Sequence, residues 1–398
     1  MIALNATPRI GLALSGGGSR AIAFHLGSMK ALHEYCLLDR ISVLSTVSGG
    51  SVIGAMWAYS DDSFPQFEER VLQLLKRGLT RDIVFALFQP QQLILWVATL
   101  CIAHPINGLA AVMRTVCKPL APPMRFLGFS ASWLGQIQPP CCRWASRSTA
   151  FILALRLRCF GSLKLSDSRR KDIDIVINSC DLSSGTAFRF GTQSVGSWIT
   201  GRMAPQNIDL ATAVAASAAF PLLLPALDFR FLLHDGAGKE RREQVLLTDG
   251  GVFDNLGISV FEPGREEWKS TIGFKLDYII CSSAGQGRPE ERTFPYWFVP
   301  RLIGSTQIMF RKLQDAGLAA LYSYKRAASI RGFALSYLAQ SDTGIEVPED
   351  NFISRSEVIR YPTNFSAMSD GDCNMLVLRG EQVMKHVLKT HVPELLNL

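Results

Sequence analysis

One unit occurs twice in the first sixty residues of this 398-residue chain, and it constrains the fold more than anything else in the sequence. Ile10 to Leu14 is a short apolar run ending at Ser15 and three glycines, after which Ala21 to Tyr35 carries apolar residues at helical spacing. Ile41 to Val47 is a second β-prone run, broken by Ser48, Gly49 and Gly50 and followed by the small, apolar, helix-suited segment Val52 to Tyr59. Strands alternating with helices of this length argue for an α/β fold with a mostly parallel sheet covered on both faces, and functional loops at the strand ends. Further strands are expected at Ile173 to Asn178, Leu227 to Leu232, Gln244 to Leu247 and Leu276 to Cys281. Helices are expected over Leu210 to Ala219, Gly304 to Ala328 and Asn374 to Lys389.

Charge is informative through its distribution. The formal total is +7, yet no acidic residue lies between Asp82 and Asp167, while Arg114, Lys118, Arg125, Arg143, Arg147, Arg156, Arg158 and Lys164 fall there. Apolar stretches accompany this charge, so an anionic lipid surface fits better than nucleic acid, for which no reading motif is present. The run Leu93 to Ala103 is apolar but too short for a membrane span, which needs roughly 20 such residues. Gln89 to Gln92 interrupt it on one side, and His104 and Pro105 end it on the other. Interfacial helices and a buried helical cap are both compatible with the segment. Pro139 to Lys171 has only weak periodicity. Nine cysteines without CxxC spacing read as reduced thiols, and the N-terminus lacks signal-peptide order, so cytoplasmic synthesis is expected.

Three loops carry candidate chemistry. Ser48, in Thr46-Val47-Ser48-Gly49-Gly50, stands at a strand-to-helix junction, where a nucleophile elbow lifts a serine hydroxyl clear of the sheet. Thr46 replaces the first glycine of the usual G-x-S-x-G, and an ordinary N-cap and turn use the same residue types. Gly16, Gly17 and Gly18 form the second loop, whose amides at a helix N-terminus suit an oxyanion or a phosphate. Gly16, Gly18 and Ala21 also satisfy G-x-G-x-x-A, with Asp39 near the distance of a ribose-binding acid, which leaves nucleotide binding open as a rival. Asp249 follows an apolar run and precedes Gly250 and Gly251, as a strand-end base for a serine or as a common turn residue. None of the six histidines lies in a recognisable motif, and no ligand spacing suggests a metal.

Taken in order, SGGGSR, VSGGS and TDGGVFDNLG resemble patatin-like phospholipases, and the first two blocks also resemble cytosolic phospholipases. Asn178 to Leu182, Phe188 to Phe190 and Ala213 to Pro221 extend the likeness, which covers about Ile10 to Ala284 with gaps and is faint around Pro362 to Met368. The resemblance implies a three-layer α/β/α domain spanning 1–398, with a core at about 8–285, an apolar and basic insertion at about 80–170 and a helical part at about 300–398. It implies Ser48 as nucleophile, Asp249 as base, Gly16, Gly17 and Gly18 as oxyanion donors, and Arg20 as a contact to substrate phosphate, with no cofactor. The expected substrate is a membrane phospholipid or other glycerolipid, met at a membrane surface through residues 83–166 by a cytoplasmic, peripherally attached protein. A catalytically silent lipid-binding relative is the other outcome that Thr46 leaves open.

Overall fold

In the computed structural model the described residues are 7–117, 140–221, 223–264, 273–288, 294–345 and 351–397. Ten strands form one sheet among them: β1 (Ile10–Leu14), β2 (Ile41–Val47), β3 (Asp174–Asp181), β4 (Thr186–Gly191), β5 (Val195–Ser197), β6 (Gly201–Met203), β7 (Leu227–His234), β8 (Glu240–Asp249), β9 (Tyr278–Ser283) and β10 (Gly332–Tyr337). Their order is β10-β9-β1-β2-β3-β4-β5-β6-β7-β8, with an additional β3–β8 pairing. The first five strands in that order are parallel, and every other pairing is antiparallel. The sheet is therefore mixed, where the alternating units had implied a mostly parallel one. The difference comes from the short links between β3, β4, β5 and β6, which can reverse the chain but cannot make a helical crossover.

Alternation along the parallel strands builds the layers. Leu12, Leu14, Leu44, Ile175, Ile177 and Ile280 join one core cluster, while Ala13, Val43, Val176, Ile279 and Cys281 join a second on the opposite face. The first cluster is covered by α1 (Gly18–Glu34), α2 (Gly49–Ala58) and α3 (Phe64–Arg77), together with the long C-terminal helix Asp370–His391. The second is covered by residues 256–261 and by the distal part of helix Phe298–Arg326, through Leu321. The result is a three-layer α/β/α arrangement.

Among the described residues, the segment 80–170 holds two kinds of helix. α4 (Thr80–Leu87) packs beside Arg147–Leu155, whose Phe151 and Leu155 enter the main core. Asp82 is buried between Arg77 and Arg158, and Arg156 pairs with Asp209, so two of the basic residues, both exposed, are already paired with acids of the fold. α5 (Pro90–Ala98) and α6 (His104–Cys117) behave otherwise. A π-helical turn over Thr99–Ala103 joins them, immediately before Pro105 removes an N–H from the ladder, and the helix carries on. His104 and Pro105 thus do not end the helix as expected. Pro90–Val116 is 27 residues, with a mean hydropathy of 1.7 over its most apolar stretch, of which 11% is buried. By length and composition it could span a bilayer. Lys118 and Arg125 lie outside the described residues.

Candidate active site

The site forms where two strands end against a third. Val47, the last residue of β2, pairs with Asn178 of β3. One residue further along β3, Ser179 pairs with Asp249, the last residue of β8, which arrives antiparallel. The ends of β2 and β8 therefore meet head to head beside β3, and Ser48 and Asp249 are delivered to the same point from opposite directions. Asn178 braces the junction by donating its amide to Ser45 Oγ at 2.9 Å and to Thr46 O at 3.1 Å.

Ser48 takes φ 52 and ψ −119, a conformation that costs a non-glycine residue about 1–3 kcal/mol. The surrounding contacts hold it. Its N–H donates to Ser217 Oγ at 3.0 Å, at the end of helix Leu210–Ser217, and Ser217 in turn donates to Asn178 O. Thr46 does not share the strain, since the positive φ falls on Ser48 and not on Thr46. Its buried side chain is accommodated by Gly54, where an added Cβ would come 2.5 Å from the Thr46 methyl carbon. Its hydroxyl accepts from Ser51 Oγ at 3.0 Å. The departure from a glycine at this position is thus absorbed by Gly54 on the facing side of α2.

Asp249 is buried, accepts from Gly251 N–H at 2.7 Å and interacts with the Ser48 hydroxyl. Burial pushes its carboxyl up from 3.8 to about 6, while the Gly251 amide and Ser48 act in the opposite sense. A carboxylate of that basicity beside a serine is suited to take its proton.

The loop Gly16 to Gly18 lies against this pair. Gly17 has φ 148 and Gly18 φ 61, values of a backbone turn that favours glycine. Gly16 is a correction: its N–H donates to Asn255 O at 3.2 Å, leaving it no free amide for an oxyanion. Among the described residues the Gly17 and Gly18 N–H groups make no hydrogen bond and line the cavity. The rival nucleotide reading fails on position. Asp39 is exposed in the turn that leads into the start of β2, whereas the loop follows the end of β1, so the two lie at opposite ends of parallel strands.

Ser48, Asp249 and the loop line a cavity of about 860 Å³. Four arginines, Arg20, Arg288, Arg311 and Arg360, also line it, and among the lining residues Asp249 is the sole acid. Arg20 is buried and donates to Ala284 O at 3.0 Å and Tyr361 O at 2.8 Å, with no carboxylate partner among the described residues. Desolvation lowers it to about 10, so it remains a cation at neutral pH. No histidine lines the cavity. His25 is buried elsewhere, bonded to Ser282 Oγ and Ser15 O, and burial lowers it to about 4, so it braces the approach to the glycine loop as a neutral ring. Among the described residues no group of three or more acidic, His or Cys side chains could hold a metal.

Sequence reasoning gave no role to Ser217, although it lies in a block singled out, or to Asn255, which sits inside TDGGVFDNLG. It also missed the cavity wall from helix Phe298–Arg326, which carries no motif, and residues 359–365, which carry at most a faint likeness; both join the site only through folding.

Solved structures share this fold. The structure of human GIVD cytosolic phospholipase A2 superposes with a TM-score of 0.55 at 12% identity, covering 98% of this chain and 60% of that one. The same human enzyme with methyl gamma-linolenyl fluorophosphonate gives 0.53 at 13% identity, over 98% and 59%. VipD from Legionella pneumophila gives 0.40 at 14% identity, over 97% and 68%. This chain thus spans about 60% of the length of the human enzyme. No curated protein matches. The patatin-like phospholipase family model matches residues 12–261, a stretch that includes the serine, the glycine loop and the aspartate. With more than half its length matched, the chain belongs to the patatin-like phospholipase family.

Proposed function

We propose that this protein is a lipid acyl hydrolase of phospholipase A or lysophospholipase type, working through a Ser48 and Asp249 dyad. The observation that carries the reading is a serine at positive φ beside a buried, basic carboxylate on the wall of a large cavity. Asp249 takes the Ser48 proton as Oγ attacks the ester carbonyl. The Gly17 and Gly18 amides receive the oxyanion, the alcohol leaves with the proton from Asp249, and water then releases the fatty acid from Ser48. Four arginines against one acid favour a phosphate-bearing glycerolipid over a neutral one, with Arg20 as the innermost cation. Family membership supports lipid-ester hydrolysis as the reaction class.

Thr46 no longer argues for a silent lipid-binding relative, because Gly54 makes room for it without displacing Ser48. Access to substrate is proposed through residues 83–166, chiefly the exposed helix Pro90–Val116, in a cytoplasmic protein attached peripherally to membrane. Nucleic acid and cofactor play no part in this reading.

The test is incubation with vesicles of mixed phosphatidylcholine and phosphatidylglycerol, followed by mass spectrometry of fatty acids and lysolipids. Release by the wild type that is lost in both Ser48→Ala and Asp249→Ala is expected. Release that persists in Ser48→Ala, or none from a folded wild type, would overturn the proposal.

A further inference from the structure

We infer that residues 294–313 form a second membrane-docking surface, at the mouth of the cavity, with an anionic bilayer as its partner. This deepens the hydrolase reading and rests on it for the identity of the lipid. Tyr296 and Trp297 are 84% and 82% exposed, and Phe294 and Phe298 are also open to solvent. They lead into helix Phe298–Arg326. At 100° per residue, Phe298, Leu302, Met309 and Leu313 fall within about 60° of one another, and all four are exposed. Val299, Ile303, Thr306, Phe310 and Gln314 make an adjacent stripe, centred about 100° away, that lines the cavity. Val299 and Ile303 both line the cavity and reach solvent, so the exposed surface and the cavity wall are continuous.

Charge selects the partner. No acidic residue occurs from Phe294 to Gln314, whereas Arg301, Arg311 and Lys312 do. Arg301 and Lys312 flank the exposed stripe on the side away from the cavity, and Lys312 makes an exposed contact with Asp315 at 4.0 Å. Aromatic side chains at a helix end, an apolar stripe and flanking cations are the composition of a helix lying in a lipid interface. Arg301 and Lys312 beside an apolar stripe that itself carries no acid suit an anionic surface. In this arrangement the bilayer meets the protein where the cavity opens, and a lipid leaving the bilayer moves along one helix to Ser48.

The experiment measures vesicle flotation in a Ser48→Ala background, so that hydrolysis cannot remodel the lipid. The probes are vesicles of phosphatidylcholine alone and of phosphatidylcholine with phosphatidylglycerol. Trp297→Ser with Phe298→Ser is expected to weaken binding to anionic vesicles roughly tenfold or more. Arg301→Glu with Lys312→Glu is expected to remove the preference for anionic over neutral vesicles. The same aromatic substitutions in the Ser48 protein should leave hydrolysis of a dissolved short-chain ester at the parental rate, which also shows that the variant folds. Unchanged vesicle affinity in the aromatic variant, or a parallel loss of dissolved-ester turnover, would overturn the docking surface. A parent that docks but cleaves no ester would overturn the hydrolase reading and leave the surface standing.

Discussion

Replacing Asp249 with Asn should make the protein more stable while removing its activity, and the gain should depend on pH. The carboxyl is raised from 3.8 to about 6, chiefly by burial. At about 1.4 kcal/mol per unit, ionising it in the folded protein costs about 3 kcal/mol. The sign follows from proton binding. Between about pH 4 and 6 the folded chain keeps a proton that the unfolded chain has released, so the stability this group contributes is full below pH 4 and lost as pH rises through 6. Asparagine keeps the shape, and its amide oxygen can still accept from Gly251 N–H, the 2.7 Å bond of the parent. Asp249→Asn should therefore exceed the parent by up to about 3 kcal/mol at pH 8 and by almost nothing at pH 4. Denaturant unfolding followed by tryptophan fluorescence at the two pH values measures this directly. An Asn variant that is less stable than the parent at pH 8, or equally shifted at both pH values, would refute the reasoning.

Other perturbations test neighbouring parts of the site. Gly18→Ala places a Cβ 2.3 Å from Asn364 O at positive φ, and should cost at least about tenfold in kcat by displacing the loop amides. Ser217→Ala leaves the Ser48 N–H without its acceptor, at a cost of about 1–3 kcal/mol in stability, with kcat falling more than KM rises; rescue by Thr would confirm the hydroxyl as the cause. Arg20→Gln should raise KM for phosphate-bearing lipids more than for an uncharged ester, as steady-state kinetics on both substrates would reveal.

Much of the site was legible because it is local. Ser48 follows directly on a strand, Asp249 ends one, and Gly17 and Gly18 stand in a strand-to-helix turn, so apolar runs beside glycines marked them. Four of the five parallel strands were legible for the same reason, while Gly332–Tyr337 was not expected. What stayed hidden depends on distant pairings. The short strands Val195–Ser197 and Gly201–Met203 carry little periodicity, and the loss of Gly16 as a donor depends on Asn255, more than 200 residues away. The apolar helix Pro90–Val116 runs past Pro105, which sequence rules read as a stop, because a π-turn ahead of the proline lets the helix continue. The head-to-head meeting of β2 and β8 is written in no single segment, and it is what brings Ser48 and Asp249 together.

The central claim is that Ser48 is an activated nucleophile, and intact-mass measurement after exposure to a fluorophosphonate tests it most directly. A single adduct mapping to Ser48, absent from Ser48→Ala and strongly slowed in Asp249→Ala, is the predicted result. A folded wild-type protein that gains no adduct, or an adduct retained in Ser48→Ala, would contradict the account.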